Sequence, residues 1–139
     1  MKVKEIMSKN IVRIKKEDTV YKAAKIMDEK SIGCLLVEEN GIITERDVLK
    51  TIAKGKDPSK TLVKEVMSQN IVKADANTDI EEAAGILEKN KIRRLVITEN
   101  NKIVGIVTIR DINKNMMYLL ARRIIKGYEH ADRPSYGKP

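Results

Sequence analysis

The chain has 139 residues, 42% apolar and 35% charged, and carries a formal net charge of +8. That length makes one domain, or two very small ones around a shared core, and no apolar run approaches the roughly 18 residues of a membrane span. A single cysteine, Cys34, excludes an internal disulfide framework and a cysteine-rich zinc site, and a single histidine, His130, argues against a histidine-based metal site or catalytic triad within one chain. The start, Met1-Lys-Val-Lys-Glu-Ile-Met7, lacks the apolar core of a secretory signal, so the expected compartment is the cytoplasm. Basic residues outnumber acidic ones 14 to 10 over positions 1–60, 9 to 8 over 61–115, and 5 to 2 over 116–139. This balance favours anionic partners, either phosphate ligands or nucleic acid, without choosing between them.

In chain order, Ile11–Ile14 predicts a short β-branched strand. A helix follows near 19–30, with Val20, Ala23, Ala24 and Met27 on one face. Cys34–Glu38 and Ile42–Thr44 form a hairpin, and Asn40-Gly41 between them is a two-residue turn signal. A helix begins just past Thr44 and ends at Gly55, and 54–59 is a linker. The same order then returns. Val3-Lys-Glu-Ile-Met-Ser-Lys-Asn-Ile-Val12 matches Val63-Lys-Glu-Val-Met-Ser-Gln-Asn-Ile-Val72 at an offset of 60. Strand Ile71–Lys73, helix 79–90 (Ile80, Ala83, Ala84, Leu87) and hairpin Arg94–Thr98 with Lys102–Val107 follow, and Thr78 with Glu81 makes a capping-box pattern. Gly41-Ile-Ile-Thr-Glu-Arg-Asp47 matches Gly105-Ile-Val-Thr-Ile-Arg-Asp111 at an offset of 64. A last helix begins just past Thr108 and runs to about Lys126 with Gly127 as its C′ residue, and a polar tail follows over Glu129–Pro139. The apolar residues of that helix, Ile112, Met116, Met117, Leu119, Leu120 and Ile124, serve either the module's own core or a dimer contact. The expected domains are 1–58, 59–126 and a tail of 127–139. Two copies are too few for a solenoid and suit a pseudo-twofold pair that buries one joint face.

The order Met-Ser-x-Asn-Ile-Val, Ala-Ala helix, apolar strand, then Gly-apolar-apolar-Thr-x-Arg-Asp resembles the CBS domain, named after cystathionine β-synthase, and two in tandem resemble a Bateman module. The resemblance covers about residues 1–115. It implies an α/β (α+β) fold of two β-α-β-β-α repeats packed through their sheets. It also implies a stand-alone, non-catalytic regulatory pair with no catalytic cofactor and no metal, binding an adenosyl ligand such as AMP, ADP, ATP or S-adenosylmethionine in clefts between the repeats. A homodimer of such pairs and an unidentified regulated protein are the implied protein partners.

Carried onto this chain, the resemblance gives two clefts. Cleft A combines Ile106, Thr108, Arg110 and Asp111 with Met7, Val12, Ile32, Gly33 and Cys34. Cleft B combines Ile42, Thr44, Arg46 and Asp47 with Met67, Val72, Ile92, Arg93 and Arg94. The chemistry of these residue types agrees. An ionised carboxylate only accepts, so one aspartate takes both hydroxyls of a ribose. A helix N-terminus with arginines beside it favours phosphate, and the isoleucines and valines wall a purine. Gly33-Cys34 against Arg93-Arg94 makes one mouth small and neutral and the other cationic, so a polyphosphate is expected in cleft B and a less charged adenosyl ligand in cleft A. The first hairpin lacks the four residues Asn101–Val104 of the second, which is expected to shift Thr44 and Asp47 and leave the Asp111 site the better formed.

Plainer readings stand beside these. Thr-x-x-Asp before a helix is also a capping box, Met7 and Met67 suit core plugs, Cys34 suits a small buried apolar residue, and Arg122, Arg123, Lys126, Arg133 and Lys138 suit a solvated face. The competing function is a nucleic-acid-binding protein using its basic surface and tail. With no Trp or Phe and four Tyr, stacking platforms are scarce and only weak, salt-sensitive backbone contact is expected. An enzyme lacks support, since no metal constellation, Ser-His motif or Gly-rich phosphate loop is present.

Overall fold

The computed structural model describes residues 1–38, 40–69 and 71–130. Helices α1 (Val20–Lys30) and α4 (Ile80–Asn90) bury the apolar positions that their 3.6-residue periodicity marks: Val20, Ala23 and Met27 in one, Ile80, Ala83 and Leu87 in the other. Thr19 caps α1, its side chain accepting the Lys22 N–H at 3.2 Å. The proposed Thr78–Glu81 capping box is not formed. Asp79 is the N-cap of α4, and it makes no side-chain cap hydrogen bond. Its carboxylate is drawn instead to Lys2 Nζ, 3.1 Å away. Both helices end on non-glycine residues in the left-handed region, Ser31 (φ 53°) and Lys91 (φ 52°).

Each repeat forms a three-stranded sheet: β1 (Arg13–Ile14), β2 (Cys34–Val37) and β3 (Gly41–Thr44), then β4 (Lys73–Asp75), β5 (Arg94–Glu99) and β6 (Lys102–Thr108). The first strand of each set runs parallel to the second, and the second pairs antiparallel with the third. Asn40-Gly41 does not make the centre of a two-residue turn. Gly41 is the first residue of β3, paired with Val37, and a Cβ there would lie 2.9 Å from the Met67 sulfur. The turn with two positive φ angles belongs to the second hairpin, at Asn100 (51°) and Asn101 (63°), with Glu99 opposite Lys102. Asparagine tolerates that backbone region because its side chain bonds locally.

The four extra residues of the second hairpin extend it at its turn end, with a register shift between Ile97 and Thr98. At the other end the two registers coincide: Cys34 faces Thr44 and Leu36 faces Ile42, just as Arg94 faces Thr108 and Val96 faces Ile106. The expected displacement of Thr44 and Asp47 therefore does not occur, because the hairpin grows away from the threonine.

Two helical turns were not expected, a 3-10 turn at Val3–Glu5 and α3 (Val63–Val66). They tie the repeats together. Val3, Ile6 and Met7 pack into the core of the second repeat, with Ile80, Leu87, Leu95, Ile97, Val107 and Ile112. Val63, Val66 and Met67 pack into the core of the first, with Ile14, Val20, Met27, Leu35 and Ile43. The backbone follows: Val3 N–H donates to Thr78 O at 2.8 Å, and Val63 N–H to Asp18 O at 2.8 Å. The packing units are thus not the sequence repeats, since each lobe borrows its partner's first turn. Burying Val3 and Val63 fully contributes roughly 1.5–3 kcal/mol each. A third cluster, Leu36, Val96 and Ile106 with Ile11, Cys34, Ile42, Ile71 and Ile103, joins the two sheets face to face.

Helix α2 (Glu45–Ala53) follows β3, and α5 (Ile109–His130) follows β6. Gly127 does not end α5, which continues through it. Of the proposed tail, 131–139 lies outside the described residues. No helix among the described residues is long and apolar enough to cross a membrane.

Gly105 tests the exchange of first turns. A methyl there would strike the Met7 side chain and sit 3.0 Å from the Ser8 carbonyl oxygen. Gly105→Ala should lower the thermal unfolding midpoint by several degrees, equivalent to about 1–3 kcal/mol. Gly85→Ala, in open space on α4, should leave it unchanged or raise it.

Candidate ligand-binding clefts

Ile42 and Ser68 exchange both backbone hydrogen bonds at 2.9 Å, as do Ile106 and Ser8 at 2.9 and 3.0 Å. The segment after each borrowed turn therefore runs beside the third strand of the other repeat. Beyond the Ser68 contact opens a cavity of about 450 Å³, within the roughly 300–1,000 Å³ range of small-molecule sites. Ile42, Thr44, Arg46, Asp47 and Lys50 line it from the first repeat, and Ser68, Ile71, Val72, Lys91, Ile92, Arg93, Arg94 and Val96 from the second. Eight of the nine residues expected in cleft B line it. The ninth, Met67, lies over Gly41 and packs on the first core.

Lys50, Ser68, Ile71, Lys91 and Val96 were not foreseen. Lys50 was legible, one helical turn beyond Arg46 and Asp47 on the same face. Ser68 was not, because only the backbone pairing with Ile42 brings it there. The cavity places five cations, Arg46, Lys50, Lys91, Arg93 and Arg94, around one carboxylate, Asp47. A second cavity of about 350 Å³ is lined by the first repeat alone and includes Met27, Ile32, Glu45 and Val48. No cation lines it, so it does not suit a phosphate.

Asp47 caps α2 and still faces the cleft. Its Oδ2 accepts the Thr44 N–H at 2.8 Å and the Thr44 hydroxyl at 3.2 Å, while its own N–H donates to Thr44 Oγ1 at 3.4 Å. Oδ1 takes part in none of these and is left to accept a ligand hydroxyl. The same box forms at the other end, where Asp111 Oδ2 accepts the Thr108 N–H at 3.0 Å and the Asp111 N–H donates to Thr108 Oγ1 at 3.2 Å. The capping role and the ligand role coexist because each uses a different oxygen.

The residues expected in cleft A occupy the matching positions. Ile106 is buried, Thr108, Asp111, Val12, Ile32, Gly33 and Cys34 are half-buried, and Arg110 is exposed. Ile106 and Cys34 meet in the cluster between the sheets, whereas Met7 packs against Gly105 and the second core. The Gly33-Cys34 mouth carries two opposite charges, Arg94 reaching across from the second repeat and Glu45 from the first. Arg94 Nη2 lies 2.9 Å from the position a Cβ would take on Gly33, and Glu45 Oε1 lies 2.7 Å from that position. Burial pushes the Cys34 thiol up from its ordinary range, while the adjacent Arg94 guanidinium opposes that rise. Of the remaining basic candidates, Arg133 and Lys138 lie outside the described residues. Arg122, Arg123 and Lys126 are exposed on α5, and no group of three or more metal-ligating side chains occurs among the described residues.

The CBS domain family model matches residues 3–54 and again 63–118. The chain belongs to the CBS domain family. This tandem CBS chain is 35% identical over 120 residues to the CBS domain-containing protein YhcV of Bacillus subtilis, covering 83% of this chain and 85% of that one. It is 31% identical over 119 residues to hypoxic response protein 1 of Mycobacterium tuberculosis, covering 81% and 83%. Its fold matches a protein with CBS domains from Burkholderia ambifaria with a TM-score of 0.78 and 27% identity, over 85% of this chain and 95% of that one. It matches the CBS domain pair of protein MJ0100, solved with 5′-methylthioadenosine and S-adenosylmethionine, with a TM-score of 0.75 and 28% identity, over 86% and 98%.

The Arg94–Cys34 contact between the two CBS repeats is measurable. Arg94→Met keeps the bulk of the side chain and removes its charge. The thiolate then loses its neighbouring cation, so the pH profile of Cys34 alkylation should move to higher pH. An unmoved profile would place the guanidinium elsewhere.

Proposed function

We propose that this CBS pair is a non-catalytic sensor of adenosyl ligands, with a phosphorylated adenine nucleotide as the ligand of cleft B. The carrying observation is the Asp47 carboxylate, with one oxygen uncommitted, at the edge of a five-cation cavity of ligand size. The ribose hydroxyls donate to Asp47, the phosphates meet the arginines, and Ile42, Ile71, Val72 and Ile92 wall the purine. Methylthioadenosine and S-adenosylmethionine in the MJ0100 pair support adenosyl chemistry for the fold. The expected ligand of cleft A is less charged, since Ser31, Gly33 and Cys34 stand where cleft B has Lys91, Arg93 and Arg94. Ligand bridges the two lobes, and a regulated protein in the cytoplasm reads their altered geometry or rigidity.

A calorimetric panel of adenosine, AMP, ADP, ATP, methylthioadenosine and S-adenosylmethionine tests this reading on protein freed of copurified ligand. The phosphorylated compounds should bind, and Asp47→Asn should weaken them by about 10- to 150-fold, the worth of a charge-assisted hydrogen bond of about 1.5–3 kcal/mol. The asparagine oxygen still accepts from Thr44, so helix α2 should persist. No heat with any adenosyl compound sinks the proposal.

A second copy of the chain is the proposed partner of α5. Met117, Leu120, Ile124 and Tyr128 form an exposed stripe along it, between 51% and 76% accessible, and stripes of this kind mark association surfaces. Sedimentation at tens of micromolar should show a dimer that Leu120→Lys with Ile124→Lys converts to monomer; a monomeric parent protein rejects it.

A further inference from the structure

Arg94 stands out because it touches its own counterpart. At the offset of 60, Arg94 matches Cys34, and both residues open the middle strand of their sheet, opposite Thr108 and Thr44 respectively. A contact between equivalent positions lies on the pseudo-twofold axis, and that axis passes between the two clefts. The side chain is half-buried. It lines cleft B, while its guanidinium stands against Gly33 and the Cys34 thiol at the mouth of cleft A. A Cβ at 33 would lie 2.9 Å from Nη2 and 2.7 Å from Glu45 Oε1, so these flexible side-chain ends would have to shift to admit one. Glu45 lies near but forms no ion pair with it within 4.0 Å, and no other carboxylate among the described residues does. The guanidinium is therefore not locked in an ion pair, although Glu45 stands beside it on the cleft A side.

We infer that Arg94 is a single phosphate ligand shared by both clefts, so that phosphorylated ligands bind the two clefts with negative coupling while uncharged adenosyl ligands bind them independently. A guanidinium fork engages one phosphate at a time. A nucleotide in cleft B that draws Arg94 to its phosphate removes the cation from the mouth of cleft A. By linkage, a nucleotide first in cleft A weakens cleft B by the same factor. Adenosine has no phosphate to compete for the guanidinium. The inference rests on the proposed adenosyl-binding reading and adds to it which side chain couples the sites and which ligand charge reveals the coupling. The asymmetry of the repeats sharpens it: cleft B keeps Arg46, Lys50, Lys91 and Arg93 when Arg94 leaves, whereas cleft A has Arg110 and Lys114 at the matching positions.

The test uses calorimetry with AMP and with adenosine on the whole chain and on two single-cleft variants, Asp111→Ala, which leaves cleft B, and Asp47→Ala, which leaves cleft A. The expected result has two parts. The second AMP bound by the parent protein should be at least about tenfold weaker than AMP at the same cleft in its single-cleft variant, while adenosine shows equal constants in both settings. Adding Arg94→Met should weaken AMP in both single-cleft variants by about tenfold or more, and Arg93→Met should weaken it only where cleft B remains. Parent constants for AMP that equal the single-cleft constants overturn the inference. So does an Arg94→Met effect confined to one variant, which leaves the sensor reading intact. Absence of binding by both AMP and adenosine to every form overturns the sensor reading and this inference together. Should an alanine variant fail to fold, Asp111→Asn and Asp47→Asn retain the capping oxygen, and the same comparison is made with them.

Discussion

The backbone pairing of Ser68 with Ile42, and of Ser8 with Ile106, governs the geometry of this molecule. Each pairing lies just beyond a borrowed helical turn, and each lays a segment of one repeat along the third strand of the other. Without them the sheet faces would still bury Leu36, Val96 and Ile106, but burial is non-directional and fixes no register. The hydrogen bonds do. They place Ile71 and Val72 opposite the N-terminus of α2, and a cavity with walls from both repeats follows. Ligand binding and lobe geometry are therefore linked, because whatever bridges Asp47 to Arg93 also bridges the two lobes.

The pseudo-symmetry of the backbone is close while that of the charges is not. Cys34–Thr44 and Arg94–Thr108 are the same pair in the two sheets, and both threonines cap a helix with the aspartate three residues on. Yet Ser31, Gly33 and Cys34 stand against Lys91, Arg93 and Arg94. What the fold takes from these residues is backbone: Lys91 is the left-handed C-cap of α4, and the Arg93 carbonyl accepts the Ile109 N–H. A duplicated scaffold with one cationic cleft suits unequal ligands. Arg94, on the axis itself, then serves both sides.

Much of this was legible from the residues. Helices α1 and α4 follow from apolar spacing, the hairpins from β-branched runs, and the cleft B set from the threonine-aspartate motif and the family resemblance. The readings that failed share a cause. The capping box at Thr78 was displaced because Asp79 met Lys2 from the other end of the chain. Gly41 proved to be a place for Met67 rather than a turn residue. Met67 left the cleft for the core, and Ser68 entered it. In each case a long-range partner outweighed a local signal of similar or smaller energy.

The sequence by itself determined that there are two copies, what each copy is made of, and that an arginine-aspartate pair after a threonine recurs in both while Lys91, Arg93 and Arg94 have no basic counterparts. Those facts are local, because side-chain chemistry and periodicity act within a few residues. Tertiary structure alone decided that the first turns trade lobes and that the shorter hairpin leaves its motif in place. It also decided that the arginine at 94 crosses the axis to its counterpart. These depend on distances between residues tens of positions apart, which only the closed backbone sets.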